Sequence, residues 1–316
     1  MIVLDGIDSV PPAARGAVLA IGNFDGVHRG HQALLSAARA EAAGLGAPAG
    51  VIVFEPHPRE FFQPDRAHFR LTPRARKLEL IEKFGLDLAV VLRFDAALAG
   101  LSAEDFIERI IVGALAARHV VVGYDFHFGK GRTGTPETML RAGAAQGFGV
   151  TVVAQVADAG QALSSGAVRA ALAAGDVARA ATVLGHWWRV SGKVIGGFKR
   201  GTGLGFPTAN IALAPGTGLA HGIYAVRVHV GGQVHPGAAY LGTRPTFDDG
   251  PPMLEVFLFD FDGDLYGQEI ALELVAFIRG DMKFASVEAL KEQIARDCAA
   301  AQAILATAPA DPPQGR

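Results

Sequence analysis

Two textures of apolar and polar positions divide the chain. In the first, short unbroken apolar runs alternate with longer stretches of helical spacing. The runs are Ala17 to Ile21, Val51 to Phe54, Leu88 to Leu92 and Val120 to Val122, with Val150 to Val153 interrupted only by Thr151. Runs of that length without polar alternation predict strands covered on both faces. Helices are predicted from Gln32, from Thr72-Pro73 to about Phe84, from the Ser102/Asp105 cap pair to about Ile111, and from Pro136 to Gln146. A further helix from Asp176 to about Leu184 stops at Gly185. Residues 1–16 read as a lead-in. Strands alternating with helices predict a doubly wound parallel sheet.

After Leu184 the second texture begins. Residues 186–280 read as short strands broken by Gly and Pro, the pattern of a small antiparallel barrel or sandwich. Ile223 to Val230 alternates cleanly and runs into Gly231-Gly232, a hairpin turn. Met253 to Phe261 puts Met253, Glu255, Phe257, Phe259 and Phe261 on one face, with Glu255 its only acid. Ile270 to Ile278 is another strand, and Ser286 caps a last helix expected to pack on the barrel. The domains are expected at 1–183 and 184–306, with 307–316 a disordered tail.

Charge and composition narrow the classes. Twenty-nine Lys and Arg oppose 31 Asp and Glu, a net charge of −2, so no global basic field points to nucleic acid. The single Cys298 excludes an internal disulfide framework. No stretch reaches the roughly 18 consecutive apolar residues of a membrane span, and no basic-then-apolar leader opens the chain. A cytoplasmic protein is expected, with no membrane partner.

The chemistry concentrates where predicted strands end. Gly22-Asn23-Phe24-Asp25-Gly26-Val27-His28-Arg29-Gly30-His31 joins the first long run to a helix start. Glycines let the backbone approach a phosphate, and a helix N-terminus offers unpaired N–H groups. His28 and His31, three apart, can face one side of the first turn and donate to phosphate oxygens. A metal-binding H-x-x-H pair is the other reading, without a third ligand nearby in sequence. His57 sits in Pro56-His57-Pro58-Arg59-Glu60-Phe61-Phe62 after the second run. Gly123 to Gly134 carries Asp125, aromatics, Lys130 and Arg132 after the fourth; it reads as a stacking surface with a phosphate clamp, or as a Gly-rich surface loop. Ser164, Ser165 and Arg169 open a helix and suit a triphosphate, although ordinary capping needs the same hydroxyls. Gly196 to Asn210 lacks a Walker lysine motif, yet its glycines and cations can hold polyphosphate, and Thr208 and Asn210 supply hard oxygens at i, i+2 for Mg²⁺. Asp260, Asp262 and Asp264 do not make a calcium loop, because Leu265 stands at the required Gly position.

These strings resemble one family, the bifunctional prokaryotic riboflavin kinase/FMN adenylyltransferase (FAD synthetase) family. The Gly22–His31 string is similar to the H-x-G-H nucleotidylyltransferase signature in its flavin-biosynthetic form, and Gly205-Phe206-Pro207-Thr208-Ala209-Asn210 to the riboflavin kinase G-F-P-T-A-N signature. The resemblance implies a Rossmann-like parallel-sheet nucleotidylyltransferase domain, then an antiparallel β-barrel riboflavin kinase domain with a terminal helix. It implies ATP-dependent phosphorylation of riboflavin to FMN, then adenylylation of FMN to FAD with release of pyrophosphate. Mg²⁺ is the implied cofactor, and apoflavoproteins are the implied clients. Nucleotide and flavin contacts are implied at Gly22, Asn23, Phe24, Asp25, Gly26, Gly30, His57, Asp125, Arg132, Ser164, Ser165, Arg169, Gly205, Pro207 and Arg279. Catalytic roles are implied at His28, His31 and Glu255, and metal contacts at Thr208 and Asn210. Glu255, read as a desolvated carboxylate, is the implied base for the ribityl hydroxyl; a strand-edge salt bridge is its other reading. Gly166 stands where the family motif has Thr and removes one hydroxyl contact. That departure favours an alternative, a monofunctional riboflavin kinase whose first domain only binds flavin. A different adenylylating enzyme, such as a tRNA synthetase, is disfavoured by the lack of a K-M-S-K-S-like loop.

Overall fold

Ile2–Asp5 (β1) is a strand that the pattern did not predict. It lies at a sheet edge with Ile2 and Val3 exposed, so it carries no unbroken buried run. It pairs parallel to Leu88–Arg93. The computed structural model describes residues 1–195, 208–242 and 252–312. They form two compact units, Met1–Ser164 and a second beginning at Ser165.

The first unit continues with Val18–Ile21 (β2), Arg29–Leu45 (α1), Ala49–Glu55 (β3), Pro58–Phe62 (α2), Arg74–Lys83 (α3) and Leu88–Arg93 (β4). Ala96–Gly100 (α4) precedes Ala103–Asp105 (α5), which runs on as a π-helix over Phe106–Ala114. Then come His119–Gly123 (β5), Pro136–Gln146 (α6), Gly149–Val153 (β6) and the two-residue strands Ala157–Asp158 (β7) and Gln161–Ala162 (β8). The main sheet has the order β1-β4-β3-β2-β5-β6, and every pair in it is parallel.

Burial on both faces explains the unbroken apolar runs. Leu19, Ile21, Ile52, Val90 and Val120 point to one face and pack with Ile107, Ile110 and Ile111 of the π-helix and Met139 of α6. Val18, Ala20, Val51, Val53 and Ala89 point to the other and pack with Leu34, Leu35 and Ala38 of α1 and Leu80 and Ile81 of α3. From β2 the chain progresses to β3 and β4 on one side, while β5 and β6 lie on the other. The strand order therefore reverses between β2 and β5, and open parallel sheets bind ligands outside the carboxyl ends of strands at such a point.

Capping at Ser102 follows the expectation. Ser102 Oγ accepts the Asp105 N–H at 2.9 Å, and Thr135 caps α6. One boundary differs. Pro73 caps α3 rather than lying inside it, and Thr72 is drawn away into the β2 loop.

The second unit opens with Ser165–Ala173 (α7) and Val177–Leu184 (α8), the latter capped by Asp176 and closed by Gly185 at φ 75°. Arg189–Ile195 (β9), Ala209–Ala212 (β10), Gly222–Val230 (β11), Gln233–Leu241 (β12), Met253–Leu258 (β13) and Glu269–Arg279 (β14) close into an antiparallel barrel in the order β10-β13-β12-β11-β14-β9. Tyr224, Val226, Leu254, Val256, Leu272 and Leu274 are fully buried. Val287–Thr307 (α9), capped by Ser286, packs Ala301 against Ala225, Ala238 and Phe259. α8 sets Ala181 against Trp187 and Val275. β13 ends at Leu258 rather than Phe261, because Asp260 adopts φ 50° and breaks the extended run. Residues 308–310, at the start of the expected tail, are held to the barrel unit. Trp187 Nε1 donates to the Ala310 carbonyl at 2.9 Å, and Arg227 Nη2 donates to those of Ala308 and Pro309 at 2.8 Å each.

Candidate functional sites

In the first unit the loop after β2 holds its shape against backbone strain. Phe24 and Val27 adopt φ 49° and 43°, and both are fully buried. A β-branched residue at positive φ is costly, so the surrounding packing must impose the geometry. Asp25, 2% exposed, fastens the loop. Its Oδ1 accepts the N–H groups of Leu71 at 2.9 Å and Thr72 at 3.0 Å. Thr72 Oγ1 in turn accepts the Gly26 N–H at 2.9 Å.

His28 is the N-cap of α1. Its Nδ1 accepts the His31 N–H at 3.3 Å, which leaves Nε2 as the protonated nitrogen of the neutral ring. The two imidazoles stack with centroids 3.6 Å apart. Burial, foremost, with repulsion from the adjoining His28 and from the Lys77 charge, holds His31 well below the usual imidazole range, so it is neutral at pH 7. His31 Nδ1 and Arg29 Nη1 are buried polar atoms without a hydrogen-bond partner among the described residues. Unsatisfied groups are rare in folded chains, and these two fall within one helical turn. Gly30 is required sterically: a Cβ there would lie 2.8 Å from the Leu163 carbonyl and 3.0 Å from His28 Nδ1. The first turn of α1 thus abuts the residue preceding Ser164.

The His57 turn follows β3. His57 Nδ1 accepts the Arg59 N–H at 3.1 Å, and Glu60 Oε2 accepts the His57 N–H at 3.2 Å, a reciprocal cap on α2. Glu55, at the end of β3, takes Lys77 Nζ at 2.7 Å and Arg70 Nη1 at 2.8 Å. Arg70 also grips both oxygens of Glu60, through Nε at 3.0 Å and through Nη2. Burial opposes the Arg70 charge, but the Glu60 hydrogen bond and the charges of Glu55, Glu60 and Asp25 outweigh it and raise its pKa. Asp25, His57 and His68 offer one donor atom each within 4.8 Å of one another. A metal there would compete with the cap: His57 Nδ1 is engaged by Arg59, and Nε2 carries the ring proton.

Asp125 and Arg132 lie exposed on the loop after β5. Gly129 and Gly134 allow that loop to close, since a Cβ on either would stand 2.7 Å from Ala103 N or from the Phe128 ring. Phe126 and Phe128 stack at 5.2 Å. Gly22, Asn23 and Gly26 belong to the β2 loop. Ser164 ends the first unit and sits at the cap position of α7, whereas Ser165 and Arg169 belong to the second.

In the barrel, strand register assembles three of the expected residues. Asn210 of β10 pairs directly with Glu255 of β13, and Glu255 with Tyr240 of β12. Tyr240 pairs with Ile223 of β11, and Ile223 with Arg279 of β14. Directly opposed residues share a face. The row Asn210, Glu255, Tyr240 and Arg279 therefore lies on the outer surface, since Leu254 and Val256 fill the interior.

This register corrects the expectation for Glu255. Its carboxylate is exposed, not desolvated. Both faces of β13 are apolar in sequence, and the interior face is the one carrying Leu254, Val256 and Leu258. Asn210 is 8% exposed. Tyr240, which the sequence did not single out, is pushed up to about 12 by burial first, then by the charge and hydrogen bond of Asp281 and the charge of Glu255. The Arg279 guanidinium is held by Asp297 of α9, with Nε at 3.0 Å and Nη2 at 2.7 Å from its oxygens. Thr208 directly precedes β10, while Gly205 and Pro207 lie outside the described residues.

The comparisons with known proteins fall on both halves. The FAD synthetase family model matches residues 10–167, and the riboflavin kinase family model residues 184–305. A bifunctional riboflavin kinase/FMN adenylyltransferase of Pseudomonas fluorescens is 44% identical over 307 residues, covering 97% of this chain and 98% of that one. The protein of the same description from Escherichia coli K12 is 42% identical over 94% of this chain and 96% of its own. A crystal structure from Streptococcus pneumoniae, titled a macrolide-efflux protein, superposes with a TM-score of 0.83 at 29% identity, over 94% of this chain and 96% of that one. Among the described residues no helix is long and apolar enough to cross a membrane. With a family match on each half and full-length relatives above 40% identity, the chain belongs to the bifunctional riboflavin kinase/FMN adenylyltransferase family.

Proposed function

We propose that the chain makes FAD from riboflavin in two successive transfers, one on each set of residues described above. On the barrel, the γ-phosphoryl of ATP passes to the 5′-hydroxyl of riboflavin, giving FMN and ADP. Glu255 accepts the hydroxyl proton as the new P–O bond forms, and an exposed carboxylate is accessible for that task. Thr208 and Asn210 would hold Mg²⁺: Thr208 directly precedes β10, and Asn210 within it lies across from Glu255, so their hard oxygens would be available to the metal. The metal, when bound, neutralises phosphate charge, and the chain's own part is positioning. Gly205 and Pro207, outside the described residues, are further nucleotide contacts, and Arg279 is a flavin or nucleotide contact whose orientation Asp297 fixes.

In the second transfer an FMN phosphate oxygen attacks the α-phosphorus of ATP. The bond to the pyrophosphate oxygen breaks, and FAD and pyrophosphate leave. No protein nucleophile is needed. His28 donates from Nε2 to the transferring phosphoryl, and neutral His31 lies beside it in the first turn of α1. Gly22, Asn23, Phe24, Asp25, Gly26 and Gly30 shape the loop that admits the nucleotide. His57, Asp125, Arg132, Ser164, Ser165 and Arg169 complete the nucleotide and flavin contacts. We take the catalytic domains as 1–183 and 184–306, the setting as cytoplasmic, and apoflavoproteins as the recipients of FAD.

The observation that supports this reading most is the position of the strained, Asp25-fastened loop and His28-capped helix at the strand-order reversal. Incubation with riboflavin, ATP and MgCl₂, with FMN and FAD resolved chromatographically, tests it. FMN rises first and then gives way to FAD, and chelation of the metal stops the first step. FMN accumulation with no FAD, even when FMN is supplied, overturns the second transfer.

A further inference from the structure

Arg70, Leu71 and Thr72 are three consecutive residues that hold two different loops. Through its side chain Arg70 spans Glu55 and Glu60, on either side of the Pro56–Pro58 turn that carries His57. Glu60 passes that hold to the backbone of His57 itself, by accepting its N–H. Through their backbone Leu71 and Thr72 donate to Asp25, and the Thr72 hydroxyl takes the Gly26 N–H. The β2 loop with its histidines and the His57 turn are thus fixed to one short segment. Lys77, 2% exposed, occupies the remaining oxygen of Glu55, so neither carboxylate oxygen is left to loosen the grip.

We infer that Arg70 is a positioning residue for adenylyl transfer, setting the His57 turn in fixed register with the His28–His31 loop. The inference rests on the reading that both loops line the adenylylation site. Arg70 acts on that turn through Glu55 and Glu60. A guanidinium fork suits the task because its planar, fixed donors meet both oxygens of Glu60 and one of Glu55 at once, a spread that a compact ammonium matches poorly.

The test uses the full chain, with the calorimetric transition of the first unit as the control for its folding and riboflavin phosphorylation reporting on the barrel. Arg70→Gln is expected to lower kcat for FAD formation from FMN and ATP by about 100-fold, the scale of a roughly 1 Å misplacement, with KM changed far less. Riboflavin phosphorylation stays within about twofold. Arg70→Lys recovers less than about a tenth of the lost rate. Glu60→Gln, a milder change, lowers the same kcat in the same direction and serves if Arg70→Gln does not fold. In combination with His57→Ala, Arg70→Gln adds little further loss, because both act through one turn. Full FAD formation by Arg70→Gln beside an impaired His57→Ala overturns the inference alone. Full activity of His57→Ala overturns the reading on which it rests. Loss of both activities in parallel in Arg70→Gln and Glu60→Gln makes Arg70 merely structural and also overturns it.

Discussion

Replacing Lys77 with Met removes a buried cation and leaves its packing volume nearly filled. Lys77 is 2% exposed, and its Nζ lies 2.7 Å from Glu55 Oε1. Removing one partner of a buried pair typically costs about 3–5 kcal/mol, because the other charge stays behind uncompensated. Here Arg70 still meets the second oxygen of Glu55 at 2.8 Å, which places the expected loss at the low end, about 3 kcal/mol. For a unit of this size each kcal/mol shifts Tm by roughly 2–4 °C, so the transition of the first unit should fall by about 6–12 °C. Scanning calorimetry of the whole chain reads it directly, with the riboflavin kinase activity reporting on the barrel. Glu55→Leu combined with Lys77→Met should recover part of the loss, since no charge is then stranded. The same variant removes one of the charges that lower the His31 pKa, so the His31 titration followed by NMR should move upward, while remaining below 6.5 because burial is the larger cause. A Tm unchanged within a degree would refute the argument that the Glu55 charge depends on Lys77.

Three further outcomes follow from the geometry. Gly30→Ala pushes a Cβ to within 2.8 Å of the Leu163 carbonyl and 3.0 Å of His28 Nδ1; FAD formation should fall at least about tenfold with a loss of about 1–3 kcal/mol, and unaltered FAD kinetics would contradict the close approach. Burial raises the Glu273 pKa, but Arg189 at 2.6 Å and His229 at 3.2 Å outweigh it and lower it overall, so its stabilisation is full above the unfolded carboxylate value of about 4.3 and is lost as pH falls through the folded one. The Tm difference between the wild-type chain and Glu273→Gln should accordingly shrink on acidification, and a gap that widens would contradict the pairing. Trp187→Phe removes the hydrogen bond to the Ala310 carbonyl, so amide exchange over 308–312 should quicken, and equal protection would mean that Arg227 alone holds the segment.

Much of this was legible in sequence because its causes are local. The runs at Val51 and Val120 are unbroken because both sheet faces are covered, and Ser102, Asp176 and Ser286 cap helices wherever they occur. β1 was not legible, since an exposed four-residue edge has no period to read. Residues whose role depends on partners far along the chain were equally hidden. Thr72 meets Asp25 across 47 positions, and Lys77 meets Glu55 across 22. Glu255 shows the limit of periodicity on a strand apolar on both sides: the pattern gave its neighbours on each face, but only register with Asn210 and Tyr240 showed that its face is the outer one. An isolated Arg next to Leu-Thr carries no sequence pattern either, and Arg70 became notable only through its two carboxylates.

In the proposed scheme the two transfers use separate residues on one chain. The most direct measurement is the product course of His28→Ala given riboflavin, ATP and MgCl₂. FMN should accumulate at the wild-type rate, and FAD formation should drop by at least about 100-fold. FAD appearing at the wild-type rate, or FMN failing to form, would contradict it.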